Sequence, residues 1–183
     1  RAVCPADKPL SVRIAAVDGI DGGWSVEDSM ALARALKPRG VDLAVIAIPC
    51  DQVVEVLRQG GAAGLKAAVI LTTRPVGVAA ARQWERDVAA AAALHRIRFV
   101  GPESYGVIRT DLGLNASVGG VQPISGRLAL VAQSGAVCSA LLDFATPGGI
   151  GFSSVIALGH AFDVDYGELL DALLLDPATD GIL

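Results

Sequence analysis

The tetrapeptide Gln133-Ser134-Gly135-Ala136 is the sharpest chemical signal in the chain. It follows an apolar run, Leu128-Ala129-Leu130-Val131-Ala132, and precedes a helical pattern. A strand, a tight turn and a helix start, in that order, suit an anion. The N–H groups of a helix's first turn lack partners and carry partial positive charge. Ser134 adds a hydroxyl donor, and Gly135 lets an oxyanion approach the backbone. The plainer reading is an N-cap with a tight turn, and by spacing alone it is the commoner one. A nucleophile elbow would place glycine two residues before and after the serine. Ala132 and Ala136 stand there instead, which disfavours a serine hydrolase.

Other apolar runs end in similar residues. In open α/β sheets, ligands bind beyond the carboxyl ends of the strands. The residues at those places are Pro49-Cys50, Thr72-Thr73-Arg74 and Gly101-Pro102-Glu103-Ser104. Most are small, polar or glycine, and a phosphate-bearing ligand fits them. The two histidines are weaker signals. His95 sits beside Arg96 at a helix end, where a cation suits the dipole. His160 lies in a loop with Asp163 and Asp165, where it could be catalytic or a metal ligand. One histidine and two aspartates make a poor metal set, and a solvated loop explains them as well. No metal is expected.

These residues need elements to hold them. Val41–Ile48 is a nearly unbroken apolar run, as in strands buried on both faces of a parallel sheet. Pro49 stops it, and Asp51 can cap a helix that ends at Gly60-Gly61. Ala67–Thr72 is the next strand, Val78–His95 a long Ala-rich helix and Ile97–Val100 a short strand. Upstream, Val12–Val17 reads as a weaker strand. Ser25-Val26-Glu27-Asp28 reads as a capping box for a helix reaching Leu36. From Ser104 to Ser125 the chain reads as loop, broken by four glycines and Pro123, so a domain boundary is placed there. The alternation then restarts: strand Arg127–Ala132, a helix from Ser134, strand Phe152–Leu158, helix Tyr166–Leu175, and the start of a strand at Thr179–Leu183. Two βα series predict two doubly wound α/β domains, 1–120 and 126–183, the second incomplete.

Composition excludes several classes. Of 183 residues, 52% are apolar, enough for a buried core. Aromatics are only 4%, and the net charge is −4, so a nucleic-acid partner is not expected. No apolar run reaches the roughly 20 residues that span a bilayer, and no membrane association is expected. Three cysteines at irregular spacing (Cys4, Cys50, Cys138) read as reduced thiols in a cytoplasmic protein. The absence of an initiator Met and the end at Leu183 suggest a piece of a longer chain.

The serial order of several segments carries a family resemblance. These are Gly126–Ala136 (GRLALVAQSGA), Gly149–Gly159 (GIGFSSVIALG), Asp163–Asp171 (DVDYGELLD) and Asp176–Thr179. Together they resemble the NDP-forming acyl-CoA synthetases, which include ADP-forming acetyl-CoA synthetase and the α subunit of succinyl-CoA synthetase. The wording is most similar to the branch fused to a GNAT-type protein lysine acetyltransferase. The resemblance covers about Val41 to Leu183, with a looser match before it, where Cys4-Pro5 stands near a family Tyr-Pro.

The resemblance implies a Rossmann-like, parallel-sheet CoA-binding domain followed by the start of a flavodoxin-like ligase domain. The first strand and Gly-rich phosphate loop of the CoA domain would precede Arg1. It implies that Pro49, Cys50, Thr72, Thr73, Gly101, Pro102, Glu103 and Ser104 line the CoA path. Gln133, Ser134 and Gly135 would hold phosphate at a helix start that stabilises a phosphohistidine, itself expected beyond Leu183. Implied cofactors are CoA, and ATP/ADP with Mg in the intact parent. Implied partners are CoA or acyl-CoA, with a nucleotide-grasp domain, a β subunit or a fused GNAT domain. The function expected is a segment of an acyl-CoA synthetase. The alternative is a non-catalytic module that senses acyl-CoA for an attached acetyltransferase.

The chain departs from the family pattern at three places. Glu103 stands where Gly-Pro-Asn-Cys-x-Gly has Asn. His160 stands where Asn or Asp is common. Thr72-Thr73-Arg74-Pro75 replaces a Thr-x-Gly or Thr-Glu-Gly turn. A carboxylate at 103 would repel an acyl carboxylate or a phosphate.

Overall fold

The computed structural model describes residues 10–13, Ala31 and 41–183. The expected capping box at Ser25–Asp28, the helix to Leu36 and the Cys4-Pro5 match lie outside the described residues. The chain divides into two compact units, Arg1–Phe99 and Val100–Leu183.

The first unit is built on strands β1 (Leu10–Arg13), β2 (Val41–Ile46), β3 (Ala67–Ile70) and β4 (Arg98–Val100), which neighbour one another in that order. β1 pairs parallel with β2, and β2 parallel with β3 through Leu43↔Ala67 to Ile46↔Ile70. Helix α1 (Cys50–Ala62) makes the crossover that the parallel neighbours β2 and β3 require, and α2 (Val78–His95) joins β3 to β4. Their apolar stripes, Val53 and Leu57 on α1, and Trp84, Val88, Ala91 and Ala92 on α2, close on Ile46, Ala68, Ile70 and Phe99. The fully buried Val53, Leu57, Ile70 and Val88 each contribute roughly 1.5–3 kcal/mol by leaving water.

Gly60 and Gly61 do not end α1; it runs to Ala62. They are packing residues. A Cβ on Gly61 would strike the His95 side chain, and one on Gly60 would lie 3.1 Å from Leu65 Cδ2. The strand expected at Val12–Val17 is found at Leu10–Arg13, and its remaining residues are outside the described set.

The second unit holds five strands: β5 (Gly106–Arg109), β6 (Leu114–Ser117), β7 (Ser125–Ala132), β8 (Phe152–Ala157) and β9 (Gly181–Ile182). Their spatial order is β6-β5-β8-β7-β9. β7, β8 and β9 are parallel and are joined by α3 (Gly135–Ala145) and α4 (Tyr166–Leu174). The order β8-β7-β9 is the second-first-third arrangement of a flavodoxin-like sheet. Leu130, Val155, Cys138, Leu142 and Ile108 meet in its core.

Residues 104–125, expected to be loop, contain the antiparallel hairpin β5–β6. It extends this sheet through β5–β8 pairing, Gly106↔Ala157 to Arg109↔Ser154. Gly106 and Gly113, read as breakers, instead serve the hairpin. Gly106 has φ +128, with Ser117 and Ala116 backbone where a Cβ would stand, and Gly113 turns the chain at φ +64. The structural division therefore falls after Phe99, ahead of the hairpin rather than behind it. No helix among the described residues is long and apolar enough to cross a membrane.

Candidate functional site

In the second unit, three loops converge at one end of the sheet. The first, 101–105, leads into β5. Because β5 runs antiparallel to β8, its amino end lies beside the carboxyl ends of β8 and β7. The second is the β7–α3 junction, Gln133 to Gly135, and the third follows β8 at Gly159 and His160. Backbone bonds stitch them together. Gly159 N–H donates to Gln133 O at 3.2 Å, and His160 N–H to Pro102 O at 3.0 Å. Ser104 Oγ donates to Ala157 O at 2.5 Å and accepts from Gly106 N–H at 2.9 Å. Gly159 is required here: it has φ +61, and a Cβ would strike Pro102 O.

The loops enclose an open cleft of about 250 Å³, lined by Glu103, Gln133, Ser134, Gly135, Gly159 and His160. Ser134 has the extended backbone of an N-cap residue (φ −93, ψ 126) but makes no side-chain cap hydrogen bond. Its carbonyl takes the Cys138 N–H at 3.2 Å. The first turn of α3 contains no acidic residue. The helix start thus faces the cleft with its partial positive charge uncompensated from within the helix.

Gly135 has a packing role. A Cβ there would lie 2.7 Å from Tyr105 Cβ. The glycine lets α3 close on the buried Tyr105. One turn further in, Cys138 is fully buried, and desolvation pushes its thiol up to about 11.

Two of the off-pattern residues meet. His160 Nε2 and Glu103 Oε2 are 3.0 Å apart, with 27% and 35% of their side chains exposed. His160 also stacks on Phe162, with ring centroids 5.8 Å apart. A polar contact this exposed adds little to stability. The sequence marks each residue as a departure but not their contact, since 57 positions separate them. Asp165, weighed beside His160 as a metal ligand, instead caps α4 by accepting Glu168 N–H at 2.9 Å. Among the described residues no group of three or more His, Cys, Asp or Glu could hold a metal.

The first unit presents its own set. Pro49 and Cys50 stand at the N-terminus of α1, where Pro49, rather than the expected Asp51, occupies the cap position. Thr72 is buried. Its Oγ1 donates to Ile48 O at 2.8 Å and accepts from Ile48 N–H at 3.2 Å, tying the ends of β2 and β3 together. Thr73 is exposed. Trp84 Nε1 donates to Cys50 O at 2.6 Å, fixing the α1 start on α2. Arg74 pairs with Glu85 at 2.8 Å. The starts of α1 and α2 both lack side-chain caps, and a Cβ on Gly77 would meet nothing within 4 Å. The first turn of α1 carries Asp51, whereas that of α2 holds no acid, so of the two the α2 start better suits a phosphate group.

Comparison with known proteins agrees with both units. A CoA binding domain model matches residues 16–110, and a model of the succinyl-CoA ligase-like flavodoxin domain matches 125–183. The chain belongs to the NDP-forming acyl-CoA synthetase superfamily. This family membership accounts for the order of a CoA-binding unit followed by a flavodoxin-like one. An ADP-forming acetate–CoA ligase of Archaeoglobus fulgidus is 34% identical over 148 residues, covering 80% of this chain and 22% of the relative. The α subunit of an ADP-forming acetate–CoA ligase of Pyrococcus furiosus is 34% identical, with 80% and 32% covered. The chain thus spans about a fifth to a third of these relatives' lengths. Among solved structures, an acetyl-coenzyme A synthetase of Ca. Korarchaeum cryptofilum in complex with phosphate and ADP is 25% identical. It superposes with a TM-score of 0.75 over 96% of this chain and 43% of its own.

Proposed function

We propose that these residues form the CoA-binding and phosphate-binding parts of an NDP-forming acyl-CoA synthetase acting in the cytoplasm. The reaction is a carboxylate plus CoA and ATP giving acyl-CoA, ADP and phosphate. The carrying observation is the open start of α3. Ser134 occupies the cap position and leaves its hydroxyl uncommitted, no acid sits in the first turn, and a cleft lies in front. In this reading Gln133, Ser134 and Gly135 hold a phosphoryl group, and a histidine outside these 183 residues carries it.

In the first unit Pro49, Cys50 and Thr73 border the CoA path. Thr72 acts through the backbone it ties, since its hydroxyl is committed to Ile48. Gly101, Pro102 and Ser104 shape the loop that presents Glu103. The nucleotide and Mg, and a nucleotide-grasp domain or partner β subunit, belong to the intact parent.

The carboxylate of Glu103 in the cleft favours a second reading, an acyl-CoA-sensing module of an attached GNAT-type acetyltransferase. One experiment separates them: the full-length protein is supplied with acetate, CoA and ATP, and acyl-CoA and ADP are measured together. Equal formation of both, lost in Ser134→Ala, supports the synthetase. Tight acyl-CoA binding without ADP formation overturns it and leaves the sensing module.

A further inference from the structure

Tyr105 is 8% exposed and belongs to the core of the second unit, next to Gly135 at the back of the cleft. Two glycines bound its side chain. At the start of α3, a Cβ on Gly135 would lie 2.7 Å from Tyr105 Cβ and 3.1 Å from Cδ2. At the far end of the ring, a Cβ on Gly119 would lie 2.6 Å from Cζ and closer still to the hydroxyl. The side chain therefore spans from the β6–β7 connection to the first residue of α3, with no room to spare at either end. Gly120 differs from its neighbour: a Cβ there would meet nothing within 4 Å.

The span is anchored. Val118 N–H donates to Tyr105 O at 2.9 Å, and Gly119 N–H donates to Ser117 Oγ at 3.2 Å. These bonds hold the connection against the tyrosine. One residue before it, Ser104 Oγ bonds Ala157 O at the carboxyl end of β8. A group added at position 119 thus presses on the ring, and the base of the ring bears on Gly135. Close-packed interiors transmit such a displacement instead of absorbing it. Ser134 directly precedes Gly135, so the displacement arrives at the turn that faces the cleft.

We infer that Tyr105 is a positioning residue for this turn: its side chain sets where the start of α3 stands, and through it the β6–β7 connection bears on anion affinity. The inference rests on the anion reading of the Ser134 turn given above, with phosphate or a phosphoryl group as the ligand. Tyr105 is not among the residues lining the cleft, so it acts through the helix start and not on the ligand.

The test titrates inorganic phosphate calorimetrically into the full-length protein, at a temperature where every variant is folded. A change in stability alone leaves the phosphate affinity of the folded protein unmoved. Ser134→Ala identifies the binding that belongs to this turn. Gly119→Ala should weaken that binding about tenfold, the scale of one lost hydrogen bond to a charged group. Gly120→Ala should bind as wild type. Tyr105→Phe keeps the ring and should bind nearly as wild type. Combined with Gly119→Ala it should recover part of the lost affinity, because the hydroxyl is the atom nearest the added methyl group. Tyr105→Leu shortens the span and should weaken binding even with Gly119 in place. Wild-type affinity in Gly119→Ala or in Tyr105→Leu overturns the positioning role while leaving the anion site standing. So does a loss in Gly119→Ala that Gly120→Ala shares, or one that is the same in the Tyr105→Phe background. If wild type and Ser134→Ala take up phosphate identically, the anion reading itself fails, and the positioning role with it.

Discussion

Helices α3 and α4 begin in the same unit, each just past the carboxyl end of a parallel strand, and their first turns are finished in opposite ways. Asp165 folds its carboxylate onto Glu168 N–H, and Glu168 adds a second negative charge to the first turn of α4. Charge and hydrogen bond both satisfy that helix start. Ser134 stands in the equivalent place on α3 with suitable backbone angles, yet caps nothing, and no acid follows it. A good capping residue is thus not the same as a cap. One start is closed for stability, whereas the other leaves its donors for something that arrives from outside the helix.

Four measurements test whether the two helix starts differ. The largest effect concerns Cys138, one turn inside the open start of α3. A helix N-terminus lowers a thiol's pKa, but burial pushes this one from 9.0 up to about 11. Two units mean about a hundredfold less thiolate than an exposed cysteine at pH 8. Alkylation in the native state should therefore spare Cys138, followed by mass spectrometry; fast labelling would show that the opening of α3 extends into the core. The raised value also fixes a sign. The fold keeps this thiol neutral, so its contribution to stability is present below about pH 9 and is lost as pH rises toward 11. Cys138→Ala should flatten that alkaline decline in denaturant midpoints.

Gly135→Val comes second. Its Cβ meets Tyr105, and overpacking of this kind costs about 1–3 kcal/mol. The melting temperature of the variant should fall by several degrees whether or not phosphate is present. Third, Asp165→Ala removes the closed cap and should cost about 1 kcal/mol in chemical denaturation. Smallest is Ser134→Ala. With no cap bond to lose, its stability should stay within about 0.5 kcal/mol of wild type, while phosphate-dependent stabilisation falls. If Ser134→Ala destabilises as much as Asp165→Ala, the two helix starts are alike and the contrast is void.

The parallel elements were legible in the sequence because burial writes itself there. Val41–Ile46 is apolar but for Asp42, Ala67–Ile70 is apolar throughout, and α2 shows its stripe at Trp84, Val88, Ala91 and Ala92. The strand–turn–helix at Ala132 to Gly135 was visible for the same reason. The hairpin was not. β5 and β6 have four residues each, and Gly106, the first residue of β5, and Gly113, just before β6, read as interruptions. What makes them strands is pairing with β8, a tertiary fact. The wall of the cleft was half legible. Glu103 and His160 each stood out as departures, but no local pattern joins two loop residues whose meeting depends on an antiparallel strand. The Gly135–Tyr105 packing was hidden in the same way.

The antiparallel attachment of β5 also bears on how the second unit is assembled during synthesis. Ser104 bonds to Ala157, 53 positions downstream. At about 5–20 residues per second, several seconds separate their emergence from the ribosome. Throughout that interval the edge of β5 that β8 will cover has no strand to pair with, and an unpaired edge invites the wrong neighbour. Two of its residues already carry charge against that outcome: Arg109 and Asp111, bonded to each other on the turn side of the hairpin. Only when β8 has emerged to pair along β5 does the wall bearing Glu103 acquire its final place.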